Sequence, residues 1–138
     1  MTEQQAVVFK LKNVEYGIDI LQVNEIVKLQ DITKLPNTPE YIDGVINLRG
    51  TVIPIIDLQV KFNLGRSERK EDTRIIVVKV REKILGIVVD EVAEVVRISN
   101  EQIENTLNIT SQISDNYIQG VAKLENRLII LLNLEQIF

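Results

Sequence analysis

Short apolar runs rich in valine and isoleucine follow one another along the chain. Each is broken after a few residues by charge, asparagine or glycine, a rhythm that predicts strands joined by tight turns. Val7 to Lys12 and Glu15 to Ile20 meet at Lys12-Asn13, and asparagine tolerates the left-handed backbone of a hairpin turn. Val45 to Leu48 and Val52 to Ile56 flank Arg49-Gly50, where glycine accepts φ > 0 without a Cβ clash. Val23 to Leu29 starts in alternation and continues after a bend. Ile75 to Val80 faces Ile84 to Asp90 across Arg81-Glu82-Lys83, and Gln119 to Leu124 faces Arg127 to Asn133. The expectation is about ten short strands with little helix.

These runs repeat. Tyr41, Ile42, Gly44, Val45, Leu48, Ile53 and Leu58 return 76 positions later as Tyr117, Ile118, Gly120, Val121, Leu124, Ile129 and Leu134. Gly17, Val23, Glu25 and Val27 return 69 positions later as Gly86, Val92, Glu94 and Val96. Residues 1–138 are therefore expected to form one unit made of two similar lobes, about 1–65 and 73–138. Ile75-Ile76-Val77-Val78 and Gly86-Ile87-Val88-Val89 are apolar at successive positions, so both faces of those strands need cover. A third apolar layer between the lobes supplies it, with a groove where they meet. The repeat leaves open which lobe takes the first strand, because exchange between the halves produces the same pattern.

The connections carry their own signals. Pro36 and Pro39 with Asn37 and Thr38 predict an irregular stretch between Asp31 and Asp43. Pro54 has no N–H for a ladder, which places its strand at an edge or at a bulge. Leu58 to Phe62 reads as a helical turn capped by Asp57, and Leu134 to Phe138 as its copy capped by Asn133. Asn63 to Arg74 is dense in charge and reads as a solvated linker. Ser99, Glu101, Gln102, Ile103, Leu107 and Ile109 have the cap and spacing of a short helix.

A length of 138 residues suits one compact unit, and 45% apolar with 26% charged residues is globular rather than disordered. The apolar runs are far shorter than the roughly 18 residues of a membrane span, so no direct membrane insertion is expected. The first residues lack the basic and apolar regions of a signal peptide, and cysteine is absent, so the expected setting is cytoplasmic. A net charge of −4 and 4% aromatics leave neither the electrostatic footprint nor the stacking platforms for nucleic acid. Without histidine and cysteine the chain lacks the commonest general base, the thiol nucleophile and most zinc ligands.

Asp43 and Asp57 flank the central hairpin and are the one acid/base pair this composition permits, but no Gly-rich phosphate loop, Asp-Thr-Gly or Asp-Ser-Gly triplet accompanies them. Arg49 is more telling. The copy of Asn47-Leu48-Arg49-Gly50 is Lys123-Leu124-Glu125-Asn126, so the turn survives while its charge reverses. Shared residues such as Glu25 and Glu94 suggest fold, and the unshared arginine suggests a role.

Gly44 to Leu58, preceded by Val23-Asn24-Glu25-Ile26 and Leu35-Pro36-Asn37-Thr38-Pro39, closely resembles the CheW family of bacterial chemotaxis coupling proteins, over essentially the whole chain. The resemblance implies an all-β fold of two packed SH3-like five-stranded β-barrels and a non-enzymatic adaptor without cofactor. It implies two partners, the regulatory domain of the histidine kinase CheA and the cytoplasmic tip of chemoreceptors, and hence recruitment to membrane-associated receptor arrays. The chain holds the two lobes and no phosphotransfer, ATP-binding or receiver module, which selects the free adaptor within the family. Partner-binding positions implied by the motif are Val23, Glu25, Val27, Gly44, Asn47, Arg49 and Gly50, with a bulky side chain at Gly44 expected to block a docked helix without reaching the core and Glu25 expected to pair with Arg49 across adjacent strands. The competing readings are a lone small-molecule or peptide-binding β module and an aspartate-based hydrolase resting on Asp43 and Asp57.

Overall fold

A computed structural model describes residues 3–104 and 117–138. Eleven strands run β1 Glu3–Leu11, β2 Val14–Asp19, β3 Val23–Lys28, β4 Ile42–Leu48, β5 Thr51–Asp57, β6 Arg74–Val80, β7 Lys83–Val89, β8 Glu91–Ser99, β9 Ile103–Glu104, β10 Ile118–Leu124 and β11 Arg127–Leu132. Single helical turns α1, Leu58–Lys61, and α2, Leu134–Ile137, follow β5 and β11. The strands form two sheets, in the orders β8-β1-β2-β11-β10-β9 and β3-β6-β7-β5-β4.

The lobes exchange hairpins. β1 and β2, from the start of the chain, lie in the sheet of β8, β10 and β11, while β6 and β7 lie between β3 and β5. Residues 1–65 and 73–138 therefore mark the repeat in the sequence and not the membership of the sheets. Under the exchange the two orders match strand for strand, with β3, β6, β7, β5 and β4 answering β8, β1, β2, β11 and β10; the two-residue β9 is an addition. Each transferred hairpin meets its new lobe through a parallel ladder, Ile55–Gly86 in one and Leu131–Gly17 in the other.

Three apolar layers result. Ile75, Val77 and Val88 join Ile46, Ile53 and Ile55 inside one lobe, and Ala6, Val8, Ile98, Ile129 and Leu131 fill the other. The alternate residues of the same strands, Ile76, Val78, Ile87, Val7 and Phe9, meet in the layer between the lobes. Strands apolar at successive positions are thus buried on both faces. All six aromatic residues pack in or against this middle layer, and Phe9, Tyr16, Phe62 and Tyr117 form a chain of rings 5.7 to 6.2 Å apart. The ammonium of Lys61 caps it, 3.9 Å above the Tyr41 ring.

Hairpin turns fall where the sequence places them, although only two of their six central residues are Gly or Asn. Lys12 and Asn13, Arg49 and Gly50, and Arg81 and Glu82 all take φ between 50° and 89°, the two left-handed residues of a type I′ turn. Asp57 caps α1 as expected, accepting from the Gln59 N–H at 3.0 Å, whereas the Asn133 side chain makes no such bond. Pro54 departs from expectation, because β5 lies inside its sheet and not at an edge. The ladder to β7 starts at Ile55, so the missing proline N–H falls where β5 is paired with β4 alone. Ser99 opens a single 3-10 turn, Asn100–Gln102, its N–H donating to Gln102 Oε1 at 2.9 Å; the chain continues as β9, and Leu107 and Ile109 lie outside the described residues.

Candidate functional site

The central hairpin presents Arg49 on its turn. Asn47 Oδ1 accepts from the Gly50 N–H at 2.8 Å and closes the turn, so Asn47 and Gly50 shape the backbone on which the arginine stands. Beside Gly50 a Cβ would meet nothing within 4 Å. The Arg49 guanidinium pairs with the Glu25 carboxylate of β3. The two strands involved are not adjacent, because β3 and β4 are the opposite edges of their five-stranded sheet. The ion pair therefore links the two edges of the sheet through its side chains.

Val23, Glu25 and Val27 do not form one row. A bulge at Asn24 shifts the register, so that Val23 is opposite Val78 and packs on the layer between the lobes, while Glu25 is opposite Val77 and Val27 packs into the core of the lobe itself. One extra residue turns the rest of the strand to the other face. The second lobe repeats this bulge in β8, where Val8 is opposite Glu94 and Phe9 is opposite Val92.

Gly44 is placed differently from expectation. It is buried with φ at 147°, and a Cβ there would lie 2.2 Å from the Thr33 carbonyl oxygen. Thr33 exchanges two backbone hydrogen bonds of 2.9 Å with Val45, which brings the loop before β4 against the glycine. A side chain at Gly44 would therefore run into the loop before β4, and its absence serves packing.

The second lobe holds an ion cluster not anticipated from the sequence. Arg127, at the first position of β11, donates to Glu15 at 2.7 and 3.0 Å and to Glu94 at 3.3 Å. Glu94 is the copy of Glu25, so the duplicated glutamate finds an arginine in both lobes. The second arginine stands two residues past the position that repeats Arg49, which a search at one fixed offset misses. Its hydrogen bonds hold the Glu15 carboxyl below the ordinary value of 4.5, against the opposing effect of burial. The two pairs differ in access: the Arg49 side chain is 68% exposed and the Arg127 side chain 33%.

Asp43 and Asp57 do not form a catalytic pair. Asp43, displaced by a bulge in β4, accepts from Arg66 at 3.0 Å and from Arg69. Asp57 accepts from the Ser67 hydroxyl at 2.7 Å and the Ser67 N–H at 3.2 Å besides capping α1. Both carboxylates are buried and committed to the segment between the halves, which is clasped to the first lobe with Ser67 and Thr73 buried rather than solvated. The alternation of charge that signals a linker also supplies the arginines that hold it down. Among the described residues no group of three His, Cys, Asp or Glu side chains converges as metal ligands do.

Comparison with known proteins agrees with this architecture. A family model described as CheW-like domain matches residues 5–138. Chemotaxis protein CheW of Klebsiella aerogenes is 40% identical over 134 residues, covering 97% of this chain and 81% of that protein. Chemotaxis protein CheW of Bacillus subtilis is 38% identical over 128 residues, covering 93% and 82%. The crystal structure of scaffolding protein TtCheW from Thermoanaerobacter tengcongensis superposes with a TM-score of 0.90 at 40% identity, covering 100% of this chain and 89% of that one. A match of this length, in sequence and in both lobes, means that the chain belongs to the CheW-like family.

Proposed function

We propose that the chain is a non-enzymatic chemotaxis adaptor that joins the regulatory domain of the histidine kinase CheA to the cytoplasmic tips of chemoreceptors, and that the end of the first lobe carrying Arg49 and Glu25 is a partner-binding surface. The names and the scaffolding role of its relatives support the adaptor. The observation that carries the surface is the exposed Glu25–Arg49 pair. It stands on a turn closed by Asn47, and Val52, opposite Asn47, is an exposed apolar side chain on the same hairpin. An arginine held on a stiff turn and bordered by apolar area has the composition of an interface anchor. The commitment of Asp43 and Asp57 to the clasp argues against the hydrolase reading.

Co-sedimentation with kinase and receptor-bearing membranes tests the proposal. Wild type should bring both partners into one pellet. Arg49→Glu places two carboxylates together at an exposed position, so it should leave the melting temperature within about 2 °C while weakening co-assembly by about 1–3 kcal/mol. Normal co-assembly of a folded Arg49→Glu protein removes the surface from the proposal.

A further inference from the structure

The β1–β2 hairpin is seated in the second lobe by the antiparallel ladder of β1 with β8, from Glu3 to Lys10, and by the parallel ladder of β2 with β11 at Tyr16 and Gly17. Ala6 and Val8 enter the core of that lobe, and Phe9 and Leu11 enter the layer between the lobes. Both receiving strands, β8 and β11, come later in the chain than the link that leaves the hairpin. The body of a second copy therefore offers the same seat, with the same ladders and the same buried contacts.

What ties the hairpin to its own body is the link Ile20–Gln22, one 3-10 turn between β2 and β3. It is lightly held. None of its residues is buried, Leu21 is 89% exposed, and the side-chain bond at the turn runs from the Leu21 N–H to Asp19 Oδ1 at 2.9 Å. The other exchanged hairpin, β6–β7, is fastened on both sides. Asp90, which answers Leu21 at the repeat offset of 69, accepts from the Lys12 N–H at 2.8 Å and from Gln59 Nε2 at 2.7 Å, while the segment before β6 is clasped by Asp43 and Asp57. Of the two hairpins, β1–β2 is the one whose link can open. Drawn out as strand, the four Cα steps from Asp19 to Val23 reach about 14 Å, a bridge between two copies side by side at this exposed point. We propose that the chain forms a symmetric dimer in which each copy donates β1–β2 to the second lobe of the other, with Ile20–Gln22 as the hinge. The closed and exchanged forms bury the same apolar surface, so the hinge and the chain concentration set the balance between them. Arg49 and Glu25 both follow the hinge and stay paired in either form.

The absence of cysteine makes the exchange traceable. Lys10 of β1 is opposite Glu91 of β8, both at the surface, at a spacing between facing strands that a disulfide spans. Full-length Lys10→Cys and Glu91→Cys proteins, unfolded in urea, mixed and refolded together under oxidation, should yield a disulfide joining one chain of each kind, read by non-reducing electrophoresis and peptide mapping. Closed monomers never bring these two cysteines face to face, and each variant refolded alone supplies the control. Size-exclusion chromatography with light scattering of the unaltered chain should show a dimer whose share rises roughly in proportion to the chain concentration during refolding and persists on dilution, since return requires the hairpin to leave its seat. Deleting Leu21 and Gln22 removes the chain that makes the turn and should shift the protein to dimer, whereas glycines inserted after Leu21 should return it to monomer. A mixed disulfide at no more than its random share, a deletion variant that is folded and monomeric, or an unaltered chain that is monomeric at every refolding concentration overturns the proposal. Where the deletion variant does not fold, the mixed-cysteine measurement, made with an intact hinge, decides alone.

Discussion

A methyl group at Gly44 would lie 2.2 Å from the Thr33 carbonyl oxygen and 2.7 Å from the Ile32 side chain, on a backbone whose φ of 147° disfavours any side chain. Gly44→Ala should therefore destabilise the fold by about 2–4 kcal/mol, whereas Gly50→Ala, which meets only a positive φ, should cost about 1 kcal/mol. Urea denaturation midpoints of the two variants check the contrast; equal effects would mean that loop and strand separate easily. Glu15 yields a pH prediction. Its carboxyl is held below 4.5 by the hydrogen bonds from Arg127, so its contribution is fully present above the unfolded value and is lost as pH falls through the folded one. Glu15→Gln should lower stability at pH 7 and flatten the fall below about pH 4.5. Thermal melts from pH 7 down to 3 read this directly.

The segment between α1 and β6 is where charge density misleads. Glu68, Arg69, Lys70, Glu71 and Asp72 are all exposed, as a solvated linker requires, yet Ser67 and Thr73 are buried and Arg66 and Arg69 reach back to Asp43. Hydropathy registers the exposed majority, and the few anchoring contacts join residues 10 to 26 positions apart in sequence. Asp43→Ala should free both arginines at once. The expected result is tryptic cleavage at Arg66, Arg69 and Lys70 well before the rest of the chain, with a stability loss of roughly 2–3 kcal/mol for breaking a largely buried pair. Cleavage as slow as in wild type would show that Ser67 and Asp57 hold the segment alone. The bulges at Asn24 and Asp43 belong here too, since each re-aims a strand by one residue without marking the sequence.

Hairpin exchange has a consequence for the molecule as a whole. Residues 1–65 contain three strands of one sheet and two of the other, and neither set can cover its apolar faces. A chain cut between residues 65 and 66 should give two fragments that are each unfolded alone and that regain the β signal on mixing, with a midpoint that depends on concentration. Two lobes built from contiguous halves would instead fold separately, so a folded 1–65 fragment by circular dichroism contradicts the topology.

Strand positions, the turns between them, the two-fold repeat and the need for a third apolar layer are all carried by the sequence, because each depends on neighbours in the chain and on the two-residue period of a strand. The motif around Arg49 is also local, and its resemblance to the family implies the Glu25–Arg49 pairing, although the pair joins opposite edges of the sheet and not adjacent strands. Tertiary structure decided which lobe receives each hairpin, which face Glu25 presents after the bulge, that Gly44 is packed rather than open, and that Arg127 answers Glu94. Those outcomes depend on which distant segments meet, and a duplicated sequence offers each hairpin two nearly equivalent places. The repeat therefore specifies the parts of this protein and leaves their partners to the packing between the lobes.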